Sequence, residues 1–464
     1  MSWTEKYGNI EFQTSQTVRT TTSPFFFLKI GGRPALVIGT HKVAIDLLEK
    51  RGAIYSDRPT NIVAKEIMTR NQVIVFSMHD DSWRRLRKAS HIVLNHEKAR
   101  DYHQFQNLEA VLLVKDLNET PELYIRHLHR ATTSSLISTL YGFPPCPNPF
   151  NPIYVLISEL MDTVLDAAAP GRYLVEYFPF LRYLPSSICS WKRHAESVFI
   201  RADALFKDLY KQVEKRLEAG DKTPSVTSSL IQDPIHKELT FQERPQTWIQ
   251  MIWFILSMAV YPDIQSKAQA QIDNIVGRER LPNLEDFERL PYVQALKLKA
   301  NQATGFPHAS SQDDYYEGYL IPKGTDIIVN VWALNHDENV YGPDAAAFRP
   351  ERYLDESGEL IPTAGRETKD EGHTMFGFGR RICVGRHVAV SSMFIQVTCI
   401  LWCFNITPAD DETGKPMSID ENEFLDNGLT IRPLPTIRYK FTPRFPGIEG
   451  ILKDVLESNG LTHP

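Results

Sequence analysis

Phe376-Gly-Phe-Gly-Arg-Arg-Ile-Cys-Val-Gly385 is the stretch on which the reading of this 464-residue chain turns. A single cysteine, Cys383, has Gly377 and Gly379 before it and Gly385 after it, and Arg380 and Arg381 closely precede it. Glycines let a backbone fold tightly around a sulfur and approach a flat ligand closely. Loop N–H groups and nearby guanidiniums favour the anionic form of a thiol. A largely uncharged run, Val388 to Ile406, follows at once, so the cysteine sits on a loop at the mouth of a helix. An inert cysteine in a glycine-rich turn is the competing reading, and the rest of the chain decides between them.

A thiolate so placed is what a haem iron takes as an axial ligand, where it pushes electron density toward O–O cleavage. Phe376, Gly379, Arg381, Cys383 and Gly385 reproduce without mismatch the F-x-x-G-x-R-x-C-x-G signature of the cytochrome P450 family, which the chain therefore resembles. Other segments agree. Phe348-Arg-Pro-Glu-Arg-Tyr353 resembles the P-E-R-F segment, with Tyr353 in place of the final Phe. Trp83-Arg-Arg-Leu-Arg87 resembles the W-x-x-x-R helix, and Gly318-Tyr-Leu-Ile-Pro-Lys-Gly-Thr325 a strand, turn and strand. Tyr55-Ser-Asp-Arg-Pro59 and Tyr261-Pro-Asp263 are similar to the microsomal, fungal branch. The resemblance implies a mainly α fold with a small β region, in one domain over residues 28–464. Residues 1–27 read as a divergent segment with no visible membrane anchor. The branch implies the endoplasmic reticulum membrane; a chain without an anchor would be cytoplasmic.

Composition sets outer bounds. Hydrophobic content of 42% is ample for a core. Lys+Arg is 51 against Asp+Glu 57, a formal charge of -6, which argues against nucleic acid as a partner. Five cysteines without a C-x-x-C pair argue against a zinc site or a disulfide framework. Cys399 and Cys403 read as core residues of one helix. Val388–Ile406 is long enough to span a membrane. Its Ser391, Ser392, Gln396, Thr398 and Asn405, and its place after the cysteine loop, favour a buried helix instead.

The resemblance implies haem b, with Cys383 as the iron ligand. Trp83, Arg87, Arg381 and His308 match positions that serve the two propionates. Phe376 would shield the sulfur, Gly377 and Gly379 would let the loop turn, and Gly385 would let the next helix start close to the porphyrin. The implied activity is insertion of one oxygen atom from O2 into a small apolar organic substrate. Electrons would come from NADPH through NADPH-cytochrome P450 reductase. Phe306 is a candidate pocket residue.

Two departures stand out. The helix expected above the iron reads Thr247-Trp-Ile-Gln-Met-Ile-Trp-Phe-Ile-Leu-Ser-Met-Ala-Val260, with no glycine, no acid, and only Thr247 and Ser257 as hydroxyls. The A-G-x-[D/E]-T segment is missing, so no catalytic residue is assigned. After Leu290–Leu296 the chain runs through Lys297–Thr304 to Gly305 without the family's E-x-x-R helix, which would strip Arg352 of its buried partners. Both helices are thus expected to be incomplete, as a misread gene or an aberrant splice would produce. Three alternatives follow: a haem-binding relative impaired in oxygen activation, a peroxygenase, and a chain that retains no haem. Further elements are expected as helices over His41–Arg51, Trp83–Leu94, Ser134–Tyr141, Val155–Ala168 and Trp191–Ala219. Gly220–Glu238 reads as a polar loop, two strands flank Pro322-Lys-Gly324, and a long loop spans Asp337–Gly385.

Overall fold

The structure is a computed structural model that describes residues 24–30, 32–169, 171–233, 247–296, 305–361, 373–421, 423–426 and 431–461. Residues 1–23, within the N-terminal segment 1–27, and the segments 234–246 and 297–304 lie outside the described residues.

Helix Arg386–Cys403 is the axis of the main core. It is long and apolar enough to cross a membrane, yet 72% of it is buried inside the protein. Its polar residues are absorbed locally: the hydroxyls of Ser391 and Thr398 donate to the carbonyls of His387 (3.0 Å) and Phe394 (2.7 Å). Helix His103–Glu119 packs along it, and Gln106 Nε2 donates to the Val388 carbonyl and to Ser392 Oγ. Cys399 and Cys403 are fully buried, and burial pushes both thiols up, as core cysteines require. Helix Thr247–Val260 crosses the same core, where Trp253 Nε1 donates to the Ile431 carbonyl (3.0 Å). It stops before Pro262, which opens helix Pro262–Ile275 as its first residue.

The largest sheet has the order β1 (Phe25–Ile30), β2 (Arg33–Ile38), β6 (Asp326–Val329), β3 (His308–Ala309). β2 runs parallel to β6; the other two pairings are antiparallel. The Pro322-Lys-Gly324 turn does separate two strands, but they do not pair with each other. β5 (Tyr319–Ile321) folds back on β4 (Asp314–Tyr316), while β6 enters the large sheet. Glu317 and Gly318, both at positive φ, make the β4–β5 turn.

Three sequence expectations are corrected. The polar loop after Gly220 contains helix Val226–Gln232, whose Ser225 and Ser228 cap it reciprocally, with serine in the place usually held by Glu or Gln. The helix ending at Tyr141 starts at Tyr124, ten residues before Ser134. Arg352 is not left without partners. Its side chain, 8% exposed, donates to the carbonyls of Tyr341 (2.7 Å), Asp344 (2.8 Å) and Ala347 (2.9 Å), with the Asp344 carboxylate at 3.5 Å.

Candidate functional site

The cysteine loop is closed by its own backbone. Cys383 N–H donates to the Phe376 carbonyl (2.8 Å), and Gly377 N–H to that of Thr374 (3.0 Å). Gly377 and Gly379 sit at φ +76° and +56°, values that favour glycine. At Gly379 packing adds a second demand, since a Cβ there would stand 2.0 Å from the Leu48 carbonyl oxygen. Leu48 belongs to the π-helical stretch Ile45–Lys50, on which the loop rests. Gly385 caps helix Arg386–Cys403 at φ −86°, which any residue adopts, so backbone conformation does not demand glycine there.

Trp83, Arg87, His308, Phe376, Gly377, Arg381 and Cys383 line one cavity of about 260 Å³. Gly379 and Gly385 are not among the residues that line it; Gly379 instead packs against Leu48. Trp83 and Arg87 share the inner face of helix Asp81–Leu94, while Arg84, Arg85 and Lys88 are exposed on its other side. Asp80 caps that helix, accepting from Trp83 N–H (2.8 Å). Phe306 is on the cavity wall, edge-on to Phe76.

One part of the cavity is strongly cationic. Arg381 donates to the carbonyls of Ser56 (2.8 Å), Ile74 (3.2 Å) and Ser77 (2.7 Å). Arg58 lines the same wall and donates to the carbonyls of Val75, Phe306 and Pro307 at 2.7 to 2.8 Å. Among the described residues neither guanidinium forms an ion pair with a carboxylate. Burial pushes Arg381 down to about 10, with Asp57 opposing and the positive Arg87 adding to the effect. Burial, and then the charge of Arg381, hold Arg58 well below its ordinary value. His308 is buried and Nδ1 donates to the Tyr55 carbonyl (2.8 Å); burial and Arg58 hold it well below the usual imidazole range. Two guanidiniums, Arg58 and Arg381, without a carboxylate ion pair among the described residues favour an anionic ligand and would give it charge-assisted hydrogen bonds.

Two residues on this wall escaped the sequence reading. Arg58 carried a signal in Asp57-Arg-Pro59, an arginine that the fold places beside β3 rather than on an exposed helix. Gln250 lies on helix Thr247–Val260, is 4% exposed, and its Oε1 has no hydrogen-bond partner among the described residues. A lone amide amid Ile, Met, Trp and Phe was its signal. Ser257 is buried off the cavity, so this helix presents neither acid nor hydroxyl to the wall among the described side chains. The site joins a thiol, a cationic end and apolar surfaces, which suits a flat, mainly apolar ligand bearing carboxylates.

The chain is similar to known proteins throughout. A family model described as Cytochrome P450 matches residues 2–436. A cytochrome P450 monooxygenase of Armillaria gallica is 42% identical over 453 residues, covering 94% of this chain and 86% of the relative. Cytochrome P450 monooxygenase 58 of Postia placenta is 39% identical, covering 94% and 85%. Cytochrome P450 monooxygenase iboC of Amanita muscaria is 34% identical over 498 residues, covering 94% and 87%. The chain belongs to the cytochrome P450 family, and with it to the haem monooxygenases.

Proposed function

We propose that this cytochrome P450 is a haem-thiolate monooxygenase that inserts one oxygen atom from O2 into a small apolar organic substrate. Electrons would come from NADPH through NADPH-cytochrome P450 reductase. The observation that carries the reading is the Cys383 thiol on the same cavity wall as Arg58, Arg87, Arg381 and His308. Haem bound there supplies dioxygen activation. Cys383 Sγ would ligate the iron, with Phe376 as apolar cover over the sulfur. Trp83, Arg87, Arg381 and His308, joined by Arg58, would hold the two propionates. Val73, Val75, Phe306 and Val331 give the apolar surface that excludes water from the substrate. The test is a carbon monoxide difference spectrum of the reduced, haem-supplied chain. A strongly red-shifted Soret band is expected; an unshifted band, or no haem, overturns the reading.

A second reading rests on the central helix, which brings no acid or hydroxyl to the cavity among the described side chains. Proton delivery to bound oxygen needs a placed group. Turnover driven by peroxide but not by NADPH and reductase would make the chain a peroxygenase, or a haem-binding relative impaired in oxygen activation.

For location we propose the endoplasmic reticulum membrane surface. Leu174, Phe178, Phe180, Tyr183 and Ile188 are all more than half exposed within one short segment. An apolar cluster of this kind on a soluble face marks an interaction surface.

A further inference from the structure

We infer that a second cavity, of about 90 Å³, is an effector site for a small saturated hydrocarbon, and that its occupant acts on the haem cavity through Met375 and Met393. Binding there stands on the cavity alone; its effect on haem rests on the haem-thiolate reading. The cavity lies between helix Pro291–Ala295 and helix Arg386–Cys403, which bring Val293, Val390, Phe394 and Val397 to it beside Phe287 and Leu296. Phe287 stands edge-on to Phe394, with ring centres 4.6 Å apart. The two polar residues among the described lining are engaged with backbone: Gln294 Nε2 donates to the Phe287 carbonyl (2.6 Å), and His373 Nδ1 accepts from Met375 N–H (3.3 Å).

An apolar cavity offers water too few partners, and the side chains around it lack contacts that an apolar guest restores. A cavity of about 150 Å³ with such walls takes benzene or xenon, so this smaller one takes a molecule below benzene in size, such as a short branched alkane. Two of its wall residues are shared. Met375 and Met393 line this cavity and also the one that Cys383 lines. Methionine side chains are unbranched and polarizable, and they repack around what they touch. Met375 directly precedes Phe376, whose carbonyl accepts from Cys383 N–H. A guest that displaces the two methionines therefore alters the shell around the sulfur, which sets the properties of a metal bound there.

The experiment titrates the haem-loaded full chain with xenon, an apolar probe small enough for this cavity, and follows the xenon chemical shift. Saturating clotrimazole, whose imidazole nitrogen ligates the iron, first fills the main cavity. The wild type is expected to keep one saturable xenon site. Val397→Phe, which puts a ring into the small cavity, should weaken that site by about tenfold or more, and the gentler Val293→Leu by about threefold. Both should keep the red-shifted carbon monoxide band; if Val397→Phe loses it, Val293→Leu carries the test alone. No saturable site in the wild type overturns the inference by showing that the chain itself fills the cavity. An equal site in the filled variants overturns it by placing xenon elsewhere. Xenon should also shift the wild-type affinity for clotrimazole by about fivefold, the lower end of coupling between two sites, and shift it less in the filled variants. No shift, or the same shift in all, overturns the effector role. Absence of the red-shifted band in the wild type is the separate failure of the haem-thiolate reading.

Discussion

The guanidinium of Arg381 lies 4.3 Å from the centre of the Trp83 ring. This stacking ties the cysteine loop to helix Asp81–Leu94 across about three hundred residues of chain, and orients both groups on the cationic wall. Arginine serves here as a planar fork: three carbonyls, of Ser56, Ile74 and Ser77, fix its plane. Lysine can neither stack nor span them. Arg381→Lys is expected to raise the rate of haem loss to an excess of a scavenging apoprotein by about tenfold, from the stacking alone. Trp83→Phe keeps a ring face and should cost less. Equal loss rates in Arg381→Lys and wild type would refute the role.

The two loop glycines should respond differently to the same methyl group. At Gly377 a Cβ meets nothing within 4 Å, so Gly377→Ala faces only the strain of its positive φ, about 1–2 kcal/mol. At Gly379 it collides with the Leu48 carbonyl, which belongs to backbone and cannot rotate away. Gly379→Ala is expected to displace the loop and abolish the red-shifted carbon monoxide band, while Gly377→Ala retains a reduced one. Matching spectra from the two variants would contradict this packing.

Arg352 shows where sequence reasoning stopped. The signature around Cys383 and the buried helix after it were legible because both are local patterns. The missing Glu and Arg were legible too, but their consequence was not. Arg352 turns instead to three backbone carbonyls 5 to 11 residues away, an arrangement invisible to side-chain pattern matching. Gln250 and Arg58 were missed for a related reason: which face of an apolar helix or turn meets a cavity depends on long-range packing. Arg352→Ala is expected to destabilise the fold by about 1–2 kcal/mol, because it removes a charged donor from two part-buried carbonyls and one exposed carbonyl. Arg352→Lys should fall between. Denaturant unfolding measures both, and a wild-type midpoint for Arg352→Ala would show those bonds to be dispensable.

The exposed apolar segment gives a test of membrane association. Phe180 and Tyr183 are 66% and 81% exposed, so replacing them disturbs no core. Apolar side chains at a bilayer surface contribute in proportion to the area they bury. Phe180→Glu with Tyr183→Glu should lower co-sedimentation with phosphatidylcholine vesicles by about tenfold and leave the carbon monoxide spectrum intact. Undiminished co-sedimentation would assign binding to another surface.

His308 makes stability depend on pH with a definite sign. Its Nδ1 faces the Tyr55 carbonyl and so carries the proton of the neutral ring. Burial first, then the charges of Arg58 and Arg381, hold its pKa well below the ordinary value, with only the Tyr55 bond opposing. The unfolded chain therefore binds a proton below about pH 6.5 that the folded site refuses. Stability of the cofactor-free protein is complete above that pH and falls below it, by up to about 1.4 kcal/mol per pH unit. Depressed values at His387 and His129, both about 4, add to the same slope. A carboxylate beside Nε2 would reverse the preference, drawing a proton onto the ring so that it can donate. Urea unfolding between about pH 6.5 and 5 should show a steeper loss in the cofactor-free wild type than in His308→Asn. Haem loading should flatten the wild-type slope. Parallel slopes for cofactor-free wild type and His308→Asn would show that His308 is not the group that titrates, and an unchanged slope on loading would remove it from the propionate site.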